Sequence, residues 1–214
     1  MADTGPRGPQ GPAGTSIDLP VAIANGGTGA TTAAGAVESL GILDAVKVGG
    51  RNLYTGTADF SGDWVNITGW HDTGEADSNG NAIRERSAAW SGLSKEVEAK
   101  AGEVYTLSAS IRGDGASTYC FFVSERDASG AEMASAAMGE AVVAPTVETR
   151  ASSGPYVVKN NCLLRFRVEN SIGDATLYVS SLKLERGNVA TDWTPAPEDI
   201  EARLAALEAA IAAL

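Results

Sequence analysis

Three tryptophans lie in a part of the sequence that is otherwise rich in turns. They are Trp64, Trp70 and Trp90, and Trp70 is followed directly by His71 and Asp72. Exposed indole rings can stack on the apolar faces of sugar rings, and imidazole and carboxylate groups can hydrogen-bond sugar hydroxyls. We therefore take these five residues as candidate glycan-binding residues, with Trp70, His71 and Asp72 as the first choice for an exposed cluster. For each tryptophan, packing in the core is at least as good an interpretation.

Catalytic chemistry finds little support in the sequence. His71 is the single histidine, and neither a second histidine nor a nucleophile motif accompanies it. The 27 Asp and Glu residues make chance carboxylate pairs unavoidable, so no glycosidase pair can be assigned. We predict that the protein is not an enzyme and has no cofactor.

Two short motifs are better explained as turns. "RGD" at Arg112–Asp114 matches an integrin-binding tripeptide, but it ends a clear strand and begins a "GDG" turn. "DSNGNA" has Asp77, Asn79 and Asn81 at alternate positions, as in a calcium loop. It lacks the loop's sixth-position glycine, and Ala88 stands where the final Glu belongs. Calcium bound elsewhere, partly by backbone carbonyls, is left open.

The two cysteines, Cys120 and Cys162, both lie in strand-like segments. Two buried thiols are the favoured interpretation for a protein assembled in a cytoplasm, and a disulfide is the alternative. Because no CxxC motif or Cys/His cluster occurs, no metal site is predicted.

The composition restricts the partners. A net charge of −11 argues against nucleic acid, since phosphate binding needs clustered Lys and Arg. No apolar run approaches the length of a membrane helix, and polar residues rather than a signal-peptide core follow Met1. We expect assembly in a cytoplasm without a classical export signal, and no membrane insertion.

Residues 48–196 have the pattern of an antiparallel β-sandwich or jelly roll. "VYTLSASIRG" alternates, with Tyr105, Leu107, Ala109 and Ile111 on one face, and "CLLRFRVE" places its charged residues outward. In "ATLYVSSLKLE" the apolar phase shifts by one residue at Ser180–Ser181, which predicts a β-bulge. Turn signals such as "DSNGN", "DASG" and "SIGD" separate the strands.

Residues 197–214 predict a coiled-coil helix that joins three chains. Its apolar residues are spaced by four and three and occupy heptad positions d, a, d, a and d: Ile200, Leu204, Leu207, Ile211 and Leu214. Arg203 falls at g and Glu208 at the next e, a pairing that forms salt bridges between parallel chains. "RLAALE" also resembles a signature of parallel trimers. An amphipathic helix docked on the sandwich is the alternative.

The N-terminus looks like a stalk. "GPRGPQGPAG" repeats glycine every third residue, as the collagen triple helix requires, at Gly5, Gly8, Gly11 and Gly14. Residues 17–47 are rich in Gly, Thr and Ala, with a short helix through "AAGAVESL" that Thr31 or Thr32 would cap and Gly41 would end. Such a segment has too little apolar surface to fold alone.

Two parts of the chain resemble a known family. "LPVAIANGGTGATTAAGAVESLGI" resembles a segment of many bacteriophage tail-fibre and minor structural proteins. "GGRNLYTGT" (49–57) and "LKLERGNVATDWTPAPED" (182–199) resemble the first and last strands of the carbohydrate-binding-module-like β-sandwich appended to such proteins. The resemblance implies that Trp193 packs against the sandwich near the end of this domain.

Together these observations predict a mainly β protein built from four parts. These are a collagen-like segment (1–16), a fibre stalk (17–47), an antiparallel β-sandwich (48–196) and a trimeric coiled coil (197–214). We expect a homotrimeric virion fibre, attached to other virion proteins by its N-terminus, that binds a neutral host-surface glycan or a protein receptor. A capsid (head) fibre with a purely structural sandwich is the alternative, and a glycan-degrading enzyme a distant one.

Overall fold

The computed structural model of the protein describes residues 21, 27–42 and 46–213. Several predicted trimer contacts lie outside these residues: Gly5, Gly8, Gly11, Gly14 and Leu214. The chain divides into two units, residues 1–45 and 46–214. The C-terminal helix therefore shares a unit with the sandwich.

Among the described residues of the first unit, helix α1 spans Ala33–Ser39. Its N-cap is Thr32, whose side chain accepts a hydrogen bond from the backbone N–H of Gly35 at 3.0 Å. Gly41, with φ +65°, follows the helix end in the left-handed conformation that favours glycine. The predicted cap and stop are both confirmed, and none of the seven helical residues is buried.

The second unit is a sandwich of two antiparallel sheets. Its strands are β1 (His71–Ala76), β2 (Ala82–Arg86), β3 (Glu96–Ala99), β4 (Val104–Gly113), β5 (Thr118–Arg126), β6 (Glu132–Ala137), β7 (Val142–Val143), β8 (Thr149–Val157), β9 (Cys162–Asn170) and β10 (Leu177–Arg186). Sheet 1 has the order β1-β2-β10-β4-β8, and sheet 2 the order β3-β9-β5-β6, with β7 also paired to β5. The predicted antiparallel sandwich is confirmed.

The core lies between the inner faces of the two sheets. The alternate residues of β4 are fully buried there, as the sequence predicts: Tyr105, Leu107, Ala109 and Ile111. Leu164, Phe166 and Val168 of β9 face them from the other sheet. Burial of each such side chain contributes about 1.5–3 kcal/mol to the free energy of unfolding.

The predicted bulge in β10 is present. Ser180 pairs with Ser110 of β4, but the next pair is Lys183 with Ser108, so two residues of β10 lie opposite one of β4. Ser181 adopts φ +49° within this bulge. The extra residue keeps Val179 and Leu182 both in the core, which explains the shift in the apolar pattern.

The chain enters and leaves the sandwich at the same place. Val48 forms a parallel bridge with Val189. Beside it, the backbone N–H of Lys47 donates to Asn188 Oδ1, and the N–H of Asn188 donates to the Lys47 carbonyl, both at 2.8 Å. We call the paired segments 47–52 and 188–194 the terminal clamp.

Asn52 forms the far end of the terminal clamp. It is fully buried, and its side-chain amide donates to the carbonyl oxygens of Leu182 and Thr194, both at 3.1 Å. Trp193 is half-buried nearby and donates from Nε1 to Thr57 Oγ1 at 3.1 Å. Its predicted packing at the end of the domain is confirmed.

The last element is helix α2 (Pro197–Ala212). Its first turn is fixed to the sandwich, because the Asp199 carboxylate accepts the backbone N–H of Gly56 at 2.9 and 3.0 Å and Glu198 pairs with Arg51. Beyond this turn the predicted heptad residues are each more than half exposed: Ile200, Leu204, Leu207 and Ile211. The docked-helix alternative is therefore wrong for these side chains.

Helix α2 is also too short for a bilayer. Across residues 21, 27–42 and 46–213, no helix combines the length and apolar character needed to cross a membrane.

Candidate functional site

The structure corrects the predicted exposed cluster. Trp70 is buried, and its Nε1 donates to the Ser91 carbonyl at 2.9 Å. Trp64 is buried too, packed edge-on against Tyr54 with ring centroids 5.9 Å apart. Both rings bury a large apolar area while a backbone carbonyl satisfies each N–H, the usual arrangement for a core tryptophan. Neither ring is available to stack on a sugar.

His71 and Asp72 remain exposed, but they lie on sheet 1. His71 pairs in register with Glu85 of β2, and the Asp72 carboxylate lies 3.3 Å from the guanidinium of Arg84. The five predicted glycan-binding residues therefore do not form one site.

Trp90 is the predicted residue that the structure leaves open to a ligand. It is 57 % exposed and lies in the connection between β2 and β3. Its backbone is fixed, because its N–H donates to the Asn170 carbonyl at 2.7 Å and its own carbonyl accepts Arg86 Nε at 2.8 Å. Trp90 and Ser91 both have a positive φ, 63° and 57°, a backbone conformation that residues other than glycine rarely adopt. The indole is thus held outward by a rigid support.

Trp90 lines a groove on the outer face of sheet 2. The groove has a volume of about 610 Å³. We call it the sheet-2 groove, and the lining residues that concern us are Trp90, Cys120, Phe122, Arg165, Arg167 and Glu169. The register of β5 and β9 places Phe122 opposite Arg167 and Cys120 opposite Glu169, so these side chains share the outer face.

One lining residue of the groove is a stacked, preoriented guanidinium, that of Arg167. Arg167 Cζ lies 4.1 Å from the centroid of the Phe122 ring. Its Nε donates to Glu169 Oε2 at 2.9 Å, and Glu169 is nearly fully buried. The Phe122 ring and the Glu169 carboxylate together fix the position of the guanidinium.

Each arginine of the groove has a carboxylate partner. Arg165 pairs with Glu96, and Arg126 lies 3.7 Å from Glu132, although neither glutamate lines the groove itself. Arg167 pairs with Glu169, which does line the groove. Such a surface suits neutral groups that both donate and accept, such as vicinal hydroxyls.

The sequence contained part of the signal for this groove. The alternation of "CLLRFRVE" places Arg165, Arg167 and Glu169 outward, and the structure confirms that orientation. Phe122 was missed because it follows Phe121, and two adjacent aromatics do not reveal which one faces the core. Phe121 is the buried one.

The two cysteines are free thiols. Cys120 pairs with Glu169, which lies seven residues from Cys162 along β9, so the thiols are separated by roughly 23 Å. The favoured interpretation of two thiols is confirmed, although Cys162 is only half-buried.

Both thiols are expected to resist alkylation in the folded protein. Burial raises the pKa of Cys120 to about 11, helped by the nearby Glu169, and burial also raises the pKa of Cys162 to about 11. Because the thiolate is the reactive form, labelling by iodoacetamide at pH 8 should be about 100-fold slower than in the urea-unfolded chain. Mass spectrometry of the two peptides measures this, and equal rates in both states would contradict it.

Both discounted motifs form turns, as predicted. Asp114 Oδ1 accepts the backbone N–H groups of Ala116 and Ser117 at 3.0 Å. Asp77 Oδ1 accepts the N–H of Asn79 and of Asn81, both at 2.9 Å. Within the part of the chain that the structure describes, no three His, Cys, Asp or Glu side chains are arranged to hold a metal ion.

Comparison with known proteins identifies the fold. No family model and no curated protein matches the chain. Among solved structures, the CBM22-1 xylan-binding domain of Paenibacillus barcinonensis Xyn10C is 19 % identical with a TM-score of 0.52, and the match covers 68 % of this chain and 100 % of that domain. The C-terminal family 22 carbohydrate-binding module of Clostridium thermocellum Xyn10B is 19 % identical with a TM-score of 0.51. This match covers 65 % of this chain and 96 % of that module. The sandwich thus has the fold of family 22 carbohydrate-binding modules.

Proposed function

We propose that this chain is a non-catalytic glycan-binding protein whose ligand occupies the sheet-2 groove. The observation that carries the proposal is the rigidly held, exposed Trp90 beside the stacked Phe122–Arg167 pair, on a sandwich with the fold of carbohydrate-binding modules. Trp90 offers a flat apolar face for a sugar ring, while Arg167 and Glu169 offer a donor and an acceptor for its hydroxyls.

The proposed ligand is neutral. The guanidinium groups of the groove are each paired with a carboxylate, and the whole chain carries a net charge of −11. An anionic polysaccharide would be repelled over most of the surface, and the arginines that line the groove are already neutralised by their carboxylate partners. The neighbour from Paenibacillus is a xylan-binding domain, which makes xylan a sensible first probe.

We place the glycan-binding sandwich on a homotrimeric virion fibre. The exposed apolar stripe of α2 and the g–e spacing of Arg203 and Glu208 support three parallel chains. The resemblance of residues 19–42 to phage fibre segments supports attachment to a particle through the N-terminus. Three weak sites on one fibre act together, so even millimolar affinity becomes useful adhesion.

Replacement of Trp90 tests the proposed site. Trp90→Ala should weaken oligosaccharide binding about 30-fold, the effect of a side chain that contributes about 2 kcal/mol. Isothermal titration with xylan-derived and β-glucan-derived oligosaccharides, after a glycan array, provides the measurement. Val157→Ala is the matched control, since Val157 is also 57 % exposed but lies on β8 of sheet 1.

Each other outcome has a definite meaning. Equal affinities of Trp90→Ala and the unmodified chain would remove the groove as the site. Absence of binding to every glycan would favour the purely structural capsid fibre. Release of soluble sugars from a polysaccharide would instead favour the enzyme alternative.

A further inference from the structure

A second concavity lies on the outer face of sheet 1, on the opposite side of the sandwich from the groove. Its volume is about 320 Å³, half that of the sheet-2 groove. Ser110 and Ser180 lie within it, paired in register across β4 and β10. We call it the sheet-1 pocket. It falls within the size range of small-molecule sites.

The two serines present their hydroxyls to the pocket. The residues are 5 % and 3 % exposed overall, and neither hydroxyl is among the buried, unpartnered side-chain atoms of the described residues. With no hydrogen bond to another described residue, both oxygens are therefore open to solvent in the pocket and free to bond a ligand. Both hydroxyls line the pocket, where each can donate to and accept from a bound molecule.

The wall of the pocket repeats an arrangement found in the groove. Tyr178 pairs in register with Arg112, and Arg112 Cζ lies 4.4 Å from the centroid of the Tyr178 ring. Arg112 Nη2 donates to Glu75 Oε2 at 3.2 Å. The sandwich therefore presents an aromatic ring, a stacked guanidinium and a carboxylate on each outer face, with Phe122, Arg167 and Glu169 as the counterparts.

The remaining walls are mixed. Ile83 and Val147 supply apolar surface, and Glu148 supplies a carboxylate. That carboxylate is oriented by Ser78, whose hydroxyl donates to it at 2.6 Å. Two carboxylates against one guanidinium disfavour an anionic ligand. Neutral hydroxyls meet both donors and acceptors in this pocket.

We propose that the sheet-1 pocket is a second binding site, which holds a single neutral sugar ring. The choice of a sugar over another polyol rests on the proposed function, whereas the pocket itself does not depend on the groove. A ring enters past Val147, places hydroxyls on Ser110 and Ser180, and lies against the Tyr178–Arg112 pair. One sandwich thus contacts glycan on both outer faces.

The test is performed on the full chain that carries Trp90→Ala, so that the groove is disabled. The probes are the methyl glycosides of xylose, glucose, galactose and N-acetylglucosamine, with galacturonic acid as the charged comparison. Saturation-transfer NMR should detect at least one neutral glycoside, and Val147→Trp should reduce its signal at least fivefold by blocking the mouth. Ser110→Ala should reduce it about threefold by removing one hydroxyl.

Val157→Trp is the matched control, because Val157 is exposed on β8 away from the pocket, and it should leave the signal unchanged. Val147 is 73 % exposed, so its replacement should not affect folding. An unchanged signal in Val147→Trp overturns the pocket, as does a stronger signal from galacturonic acid. Oligosaccharide binding in the unmodified chain with no signal in the Trp90→Ala chain also overturns it, while leaving the groove and the proposed function intact.

Discussion

Leu204→Glu combined with Leu207→Glu is expected to convert the proposed trimer to a folded monomer. Both side chains are more than half exposed in the single chain and occupy adjacent a and d positions. Six carboxylates in a narrow trimer interface cannot be solvated, so the helices separate while the sandwich keeps its stability. Sedimentation velocity at micromolar concentration measures the change.

The functional effect should be larger than the structural one. Binding to a glycan-coated surface should fall by about 10²–10⁴, because three linked sites act as one, whereas the affinity for a soluble oligosaccharide should not change. Ala205→Glu with Ala206→Glu introduces the same charge at positions b and c and should leave the trimer intact. Arg203→Ala with Glu208→Ala should loosen it only slightly. An unmodified chain that sediments as a monomer would contradict the trimer itself.

Lys183→Met is expected to cause the largest loss of stability. Lys183 and Glu185 are fully buried on the outer side of sheet 1, with Nζ 3.4 Å from Oε2. Nζ also donates to Thr191 Oγ1 at 2.7 Å and to the Asp192 carbonyl at 2.8 Å. Removal of Lys183 leaves the buried Glu185 carboxylate without its cationic partner, held only by the N–H and hydroxyl of Thr191, which costs about 3–5 kcal/mol. The midpoint of thermal unfolding should fall by roughly 10 °C.

Two further variants isolate the cause. Lys183→Met with Glu185→Leu removes both charges and should recover most of the lost stability, because apolar side chains of similar volume replace a desolvated pair well. Arg186→Met breaks the exposed pair with Glu103 on the same strand and should cost less than about 1 kcal/mol. Equal losses from Lys183→Met and Arg186→Met would refute the argument from burial.

The sequence specified those parts of the fold that local alternation controls. The core face of β4 and the bulge at Ser180–Ser181 were both predictable, since a two-residue period and a break in its phase are properties of one strand. The cap at Thr32 was likewise local.

The candidate site was only partly predictable, because it depends on contacts between distant segments. Trp64 and Trp70 lie in a region without periodicity, so nothing local indicated that both rings would be buried. Phe122 meets Arg167 only through the pairing of β5 with β9, which are more than forty residues apart. In the sequence, Lys183 occupies an outward-facing position of its strand, which predicts an exposed side chain. It is buried because the segment that contains Thr191 and Asp192 folds over it.

The terminal clamp has a mechanical consequence. Its segments run parallel, so a force that pulls residue 46 and Pro197 apart acts on the two ends of the clamp in opposite directions, along the strand axes. In this shear geometry the cross-strand hydrogen bonds carry the load together, whereas peeling would break them one after another. Tension between residues 47 and 194 is carried first by the clamp, which is anchored on β10 through the bonds of Asn52 to Leu182 and of Lys183 to Thr191 and Asp192. On the proposed fibre, the rest of the sandwich is then loaded only after the clamp shears.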